Sequence, residues 1–399
     1  MSLLRRLLPN LVLLAVGVLF AWGAGELLVR FVIPTSTVAY RFVPDVGYML
    51  QPNGTFRWVS PDYDVVVKTN GAGFHDVEHA LAKPPGVYRV LVVGDSMVES
   101  LQVPIPQQFT RLLEERTRTW AGRPVEVINL GVSGKGPAQY YRTVEKVGLA
   151  YQPDLVVVVV TLLNDFLNDV PELEQDPAKP YYRLQGDQLV YVPPKTDVPA
   201  SKRRDDRIPL ITWLKTALKE SAFFRSFADR LARWRAAHHG GAGGRGPATL
   251  PVRSEWNVFR KAPPPPWDDA YRVTLRVLEE TQHLAAGAGA KLLVVVVPPK
   301  ALVEDKLDAA LEAEGYAGAA GLDFEPERPA RAIQALGETN GIPVLDLGPA
   351  LRADWQQFNE SASWPHDGHW CARGHRVAAA ALDGWLHAHA TQLGLGAQY

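Results

Sequence analysis

The sequence predicts an α/β fold: a three-layer α/β/α sandwich built on a five-stranded, mostly parallel sheet. Three observations predict it. Short β-branched runs recur along the chain and end in glycine, asparagine or aspartate, as strands do. Stretches at helical spacing separate most of these runs, and such alternation builds a parallel sheet with helices on both sides. One run, PDLVVVVVTLLND, is apolar rather than alternating, which is the pattern of a strand covered on both faces.

The elements follow in order. Arg5 and Arg6 precede an uncharged apolar run from Leu7 to Gly25, which Glu26 and Arg30 then interrupt. The run approaches the ~20 residues that cross a bilayer as a helix, and arginines ahead of it favour a cytoplasmic N-terminus. Residues 1–34 are therefore expected to be a single-pass anchor in a bacterial inner membrane, with the rest of the chain in the periplasm or exterior. A cleaved signal peptide competes, because Ala21, Gly23 and Ala24 resemble a cleavage site. No cysteine follows the segment, which excludes a bacterial lipoprotein. Residues 35–86 read as a lead-in packed on the domain, and 87–399 as the domain itself.

Tyr88–Ser96 is the first strand of the domain, and QQFTRLLEERTRTWA the helix after it. VEVINLGVSGKG gives a second strand and a Gly-rich loop, and PDLVVVVVTLLND a third, wholly apolar strand. Ala290–Lys300 and Ile342–Leu347 are the fourth and fifth. Helices are expected at Asp268–Ala286 and Pro329–Thr339, and a last one from Arg373. About a hundred residues between the third and fourth strands carry no core strand, so 171–267 reads as an insertion. It holds a helical run (Leu210–His238), a Gly-rich loop that includes His239, and a polyproline II linker at Lys261–Trp267. In open α/β sheets the ligand site lies at the carboxyl ends of the strands, and the insertion leaves from such an end.

Composition excludes several classes. The formal net charge of −1 argues against a nucleic-acid partner. The single cysteine, Cys371, can form neither an internal disulfide nor a Cys-rich metal site, and reads as a small packing residue. The paired His238 and His239 have no other ligand type at metal spacing, so no metal is expected.

The chemistry sits at the strand ends. Ser96 closes the first strand in a Gly94-Asp95-Ser96 tripeptide, where a serine can stand exposed on a tight strand-to-helix turn. Gly134 lies in the loop after the second strand, where glycines let backbone N–H groups approach a ligand. Asn164 closes the third strand, where asparagine either caps a helix or points its amide at a developing oxyanion. Asp367 and His369 lie two residues apart before the last helix.

Together these four segments resemble the SGNH hydrolase family, also called GDSL esterases, whose blocks they match in order over roughly Val87 to Leu382. Two departures stand out: Leu162 replaces the glycine usual two places before Asn164, and the last block is Asp-x-His rather than Asp-x-x-His. The shorter form, with Trp370 after His369, resembles the alginate O-acetyltransferase branch. The stretches VGYMLQPNG and VVVKTNGAGFHD look like the lead-in of membrane-anchored bacterial members. The resemblance implies a flavodoxin-like fold, Ser96 as nucleophile, His369 as general base oriented by Asp367, and an oxyanion hole of Ser96, Gly134 and Asn164. No cofactor is required.

His366 and His375 are rivals for the base; His375, one turn into a helix, reads as structural. Asp95 and Asp165 read as local hydrogen-bond partners, and Glu99 as a solvent-facing helix residue. Three functions follow: hydrolysis of carboxylic, O-acetyl-type esters of a glycan or lipid; transfer of the acyl group to a cell-envelope or exported polysaccharide; and a non-catalytic glycan-binding or assembly role. A transferase would need an acyl donor, expected from a membrane partner, and an acceptor groove. Trp355, Trp364 and Trp370 near His369, and Trp213, Trp234, Trp256 and Trp267 of the insertion, are candidates to line one, against a reading as core packing.

Overall fold

In the computed structural model, five strands form one sheet in which every pairing is parallel. The residues described are 2–31, 36–118, 120–195, 250–314, 316, 319 and 322–395. Eleven strands are described: β1 (Tyr40–Val43), β2 (Gly47–Leu50), β3 (Thr55–Val59), β4 (Asp64–Lys68), β5 (Tyr88–Val93), β6 (Val125–Asn129), β7 (Leu155–Thr161), β8 (Tyr181–Gln185), β9 (Gln188–Val192), β10 (Lys291–Val297) and β11 (Val344–Asp346). The main sheet runs β11-β10-β7-β5-β6. Its central strands are mostly valine and leucine, and β5 and β7 are buried along their whole lengths.

Alternate residues of each strand feed two separate cores. Leu91, Val93, Val156, Val158, Val294 and Val296 pack with the helices Pro137–Lys146, Trp267–Gly287 and Arg328–Asn340. Val90, Val92, Val157, Val159, Leu293 and Val295 pack with the helices Phe109–Thr117, Gly348–Phe358 and Ala372–Ala388. That period of two, with apolar residues on both faces, is what the valine runs encode, and it makes the three layers. The helices expected at Asp268–Ala286 and Pro329–Thr339 are present within one residue of those ends and the last helix starts at Ala372, while the first, Phe109–Thr117, is shorter than the stretch expected over 107–121.

The lead-in forms two antiparallel hairpins, β1–β2 and β3–β4. Tyr63, Val65 and Val67 pack with Leu50 and Leu101 in a third, smaller core against Trp364. The insertion contributes a separate hairpin, β8–β9, and no strand to the main sheet. Val38–Val198 and Arg245–Tyr399 make one compact unit; Met1–Thr37 and Pro199–Gly244 make another. In that second unit the described part is a helix, Ser2–Phe31, on which Leu13, Leu19, Phe20 and Leu27 are exposed. Among the described residues no helix is long and apolar enough to cross a membrane, so the spanning anchor expected at 1–34 finds no support there. The expected helical run at Leu210–His238, the Gly-rich loop, Trp213 and Trp234 lie outside the described residues.

Candidate active site

Ser96 is set by the sharp end of β5. Gly94 has no room for a side chain: a Cβ there would sit 2.3 Å from Val98 Cγ2. Asp95 then caps the turn, its Oδ1 accepting the Met97 N–H at 2.9 Å. Ser96 opens the following short helix, so its own N–H has no intrahelical acceptor. The loop after β6 can lie against this turn because Gly131 carries no side chain; a Cβ there would meet Glu99 N at 2.2 Å. Gly134 follows in the left-handed region, φ 69°, which glycine adopts without strain. Neither the Ser96 nor the Gly134 N–H has a hydrogen-bond acceptor among the described residues.

The last block closes on the serine. His369 Nε2 lies 2.7 Å from Ser96 Oγ, and its Nδ1 is hydrogen-bonded to Asp367 Oδ1. Gly368 between them has φ 81°, and its N–H donates to the Trp364 carbonyl at 3.2 Å while Trp364 N–H donates to the His369 carbonyl at 2.8 Å. This tight, left-handed turn lets a carboxylate only two residues away reach the imidazole, so the shortened Asp-x-His spacing works geometrically.

Asn164 stands at the N-cap position of the helix Asp165–Asn168 without capping it. Its amide lies 3.1 Å from Asp95 Oδ2, 3.0 Å from Asn168 Oδ1 and 3.3 Å from Asp165 Oδ1. Two amide hydrogens thus face three acceptors, and donation to a substrate oxyanion requires release of one of these bonds. Leu162, in place of the glycine usual in this block, is buried in the core.

Electrostatics follow from burial and partners. Burial opposes a charge on His369, but the hydrogen bond and charge of Asp367 outweigh it and raise the imidazole pKa above its ordinary value. Burial likewise works against ionised Asp367, and is outweighed by the bonds from His369 and Tyr63, which hold its carboxyl below the usual range. Asp95 is fully buried; desolvation raises its pKa despite the donors Met97, Asn164 and Thr161. Asp165, also fully buried, is raised by desolvation and by the charges of Asp95 and Asp169. Both aspartates are local hydrogen-bond partners: Asp165 accepts from Tyr140 Oη at 3.0 Å and Thr161 N–H at 2.9 Å.

The rivals for the base fall away. His366 has an exposed side chain and its Nδ1 lies 2.6 Å from Asp62 Oδ1. His375 is buried, accepts the Phe109 N–H at 3.3 Å, and burial pushes its pKa down to about 3, so it stays neutral. Cys371 has its thiol 3.3 Å from the Ala362 carbonyl. Among the described residues no group of acidic, histidine and cysteine side chains could hold a metal ion.

Glu99 departs from the expectation that it faces solvent. It is fully buried, with its carboxylate accepting from Ser133 Oγ and Tyr40 Oη. The reason is the close packing at Gly131, which draws the end of the Ser96–Glu99 helix under the Gly134 loop.

A cavity of about 780 Å³ opens over the serine, lined by Ser96, Gly134, Asn164, Asp367 and His369 and, from the insertion, by Glu174, Glu255 and Trp256. The structure thus brings every predicted site residue to one cleft, with both ends of the insertion at its wall. Of the proposed groove tryptophans among the described residues, only Trp256 lines it. Trp370 is buried against Phe109 and His375, Trp267 is core, and Trp355 and Trp364 lie off the cavity wall.

Sequence reasoning missed Tyr63. Its hydroxyl donates to Asp367 Oδ2, across 304 residues of chain. The turn VSPDYD between two strand-like runs signals a hairpin, but nothing local marks where its tip lands.

Residues 264–398 match the family described as "SGNH hydrolase-like domain, acetyltransferase AlgX". Over those residues the chain is similar to an SGNH hydrolase-like domain. Solved structures similar to it include an inhibitor-bound aryl esterase from M. smegmatis, at 14% identity over 75% of this chain and 99% of that one, TM-score 0.36. Another is a carbohydrate acetylesterase family member from Sinorhizobium meliloti, at 14% identity over 77% of this chain and 100% of that one, TM-score 0.36. A third is an acetyl xylan esterase, at 15% identity over 75% of this chain and 99% of that one, TM-score 0.37. No curated protein matches the chain. The SGNH assignment accounts for the order of the blocks along the chain: each closes a parallel strand or precedes the last helix, and all face the same sheet edge. It is a domain of acyl-ester chemistry, esterase or acyltransferase in kind.

Proposed function

We propose that this protein cleaves O-acyl esters, acetyl above all, of a glycan or lipid through an acyl-enzyme on Ser96. The observation that carries the reading is the unbroken relay from Ser96 Oγ through His369 to Asp367, opening on the cavity. Ser96 Oγ attacks the acyl carbon as His369 Nε2 takes its proton. The imidazolium is stabilised by Asp367. Negative charge on the former carbonyl oxygen is met by the Ser96 and Gly134 N–H groups and the Asn164 amide. Collapse breaks the ester C–O bond, and His369 returns the proton to the leaving alcohol. Water, deprotonated by the same imidazole, then releases the acid and restores Ser96.

A second reading replaces that water with a hydroxyl of a cell-envelope or exported polysaccharide, making the protein an O-acetyltransferase. The match of residues 264–398 to an acetyltransferase family favours it. So does the room over Ser96, since 780 Å³ is of drug-sized rather than acetyl-sized scale. Transfer prevails when a bound acceptor holds its hydroxyl in attack geometry. A membrane partner would then supply the acyl group. A location outside the cytoplasm, at the membrane, is proposed from Arg5 and Arg6 ahead of the apolar run and from the exposed Leu13, Leu19 and Phe20. A reporter fused after residue 38 that is active only in the cytoplasm would overturn that location.

The experiment is to incubate the full chain with an acetyl ester and candidate oligosaccharides and read the products by mass spectrometry. Free acetate that disappears in Ser96→Ala supports hydrolysis; Ser96-dependent acetylated oligosaccharide as main product supports transfer. Turnover that survives in a folded Ser96→Ala protein overturns both.

A further inference from the structure

The two outer donors of the oxyanion hole come from different loops, Gly134 after β6 and Asn164 after β7. They are joined by an unbroken hydrogen-bond chain. Asn164 Nδ2 donates to Asn168 Oδ1 at 3.0 Å, and Asn168 Nδ2 donates to Glu174 Oε2 at 2.6 Å. The other oxygen of Glu174 accepts from Lys179 Nζ, and Lys179 Nζ also donates to the Gly134 carbonyl. Lys179 is 8% exposed, and Asn168 is buried as well. Glu174 reaches the cavity wall beside Asn164 and Asn168.

A buried ammonium on a backbone carbonyl is a strong, directional restraint, because a charged donor in a low-dielectric site has no water to exchange with. Gly134 needs such a restraint: glycine is the least restricted residue, and the lysine is the nearest group on the side where a Cβ would stand, at 3.8 Å. Asn164 needs one for another reason. Its amide must exchange one of three acceptors for the oxyanion, and the Asn168 bond is the one that leads to the ion pair rather than to an aspartate.

We propose that the Lys179–Glu174 pair, contributed by the start of the insertion, sets the positions of Gly134 and Asn164 together and so governs how well the site stabilises the oxyanion. Lys179 and Glu174 are positioning residues; neither touches the reacting atoms. The insertion is therefore part of the acyl-transfer machinery, besides forming part of the wall of the acceptor space. The proposal rests on the reading that Ser96 forms an acyl-enzyme.

The test uses the full chain, p-nitrophenyl acetate turnover, and the rate at which a fluorophosphonate labels Ser96. In Lys179→Met, kcat and the labelling rate are expected to fall about tenfold or more, less than the 10²–10³ of deleting a donor outright. KM should change less than about twofold and the acid limb of the pH profile should not move, because the His369–Asp367 pair is untouched. Lys179→Arg should recover much of the loss. Where Lys179→Met loses its fold by circular dichroism, the Lys179→Met/Glu174→Gln double variant, which leaves no lone buried charge, carries the same expectation. A folded variant that labels and turns over like wild type, or loses only KM, or shifts the acid limb, overturns the proposal alone. Wild-type protein that does not label at Ser96 overturns the acyl-enzyme reading and the proposal with it.

Discussion

Tyr63 donates its hydroxyl hydrogen to the Asp367 carboxylate oxygen that His369 leaves free, so a hairpin outside the main sheet holds the last member of the serine relay. Next to it, Asp62 accepts the His366 N–H at 2.8 Å, and the Tyr63 ring packs on Trp364 with centroids 5.7 Å apart. The tip of β3–β4 therefore grips the loop that carries Asp367 and His369 at three points.

Tyr63→Phe should keep the fold, since the ring stays in its apolar contact, and lower kcat about tenfold, the scale of one hydrogen bond to a charged group. With the phenol gone, Asp367 loses a donor that stabilises its ionised form, and the negative charge felt by His369 grows. The acid limb of the kcat/KM profile should move to higher pH. A profile identical to wild type, measured with a chromogenic acetyl ester, would show that the contact only supports the loop.

The wild-type profile has a definite sign. His369 must be neutral to take the Ser96 proton, and its pKa is raised above the ordinary ~6.5. Activity should therefore fall as pH drops through a midpoint above that value. Asp367→Asn removes the raising partner and should shift the midpoint down while lowering kcat by several orders of magnitude. A midpoint well below 6 in wild type would contradict the arrangement.

His369→Ala should lose about 10³-fold or more in kcat. His366→Ala should stay within about threefold of wild type, because it removes an exposed loop contact and no proton carrier. Paired initial-rate measurements check this; the reverse order would reassign the base.

Glu99 gives a stability prediction. Burial pushes its carboxyl pKa up to about 7, above the value of an unfolded glutamate, even with Ser133 and Tyr40 donating. Between the unfolded value and about 7 the folded protein binds the extra proton, so this group's contribution to stability falls as pH rises through that window. Glu99→Gln keeps an acceptor and carries no charge. The Tm difference between Glu99→Gln and wild type should therefore shift in the variant's favour by a few degrees from pH 5 to pH 8. A difference independent of pH would show that Glu99 is ionised throughout.

Much of this was legible in the sequence, for identifiable reasons. Valine runs such as Leu155–Thr161 can only be strands covered on both faces, and glycine, asparagine and aspartate at their ends mark turns. Ser96, Gly134 and Asn164 follow such ends, so the sheet gathers them, and Asp367 and His369 join them from the loop before the last helix. What stayed hidden depends on contacts between distant segments. Glu99 reads as an exposed helix residue until Gly131 is seen to admit its backbone. Tyr63 and Lys179 carry no local signature, because their partners are set by where a hairpin tip and an insertion land. Trp370 follows His369 in the sequence, but its ring packs in the core against Phe109, a contact no local pattern marks.

The most direct test of the central claim is covalent: treat the folded chain with a fluorophosphonate and locate the adduct by peptide mass spectrometry. The relay predicts one adduct on Ser96, lost in Ser96→Ala and strongly slowed in His369→Ala. An unlabelled Ser96 in folded wild-type protein, or labelling that is undiminished in His369→Ala, would contradict it.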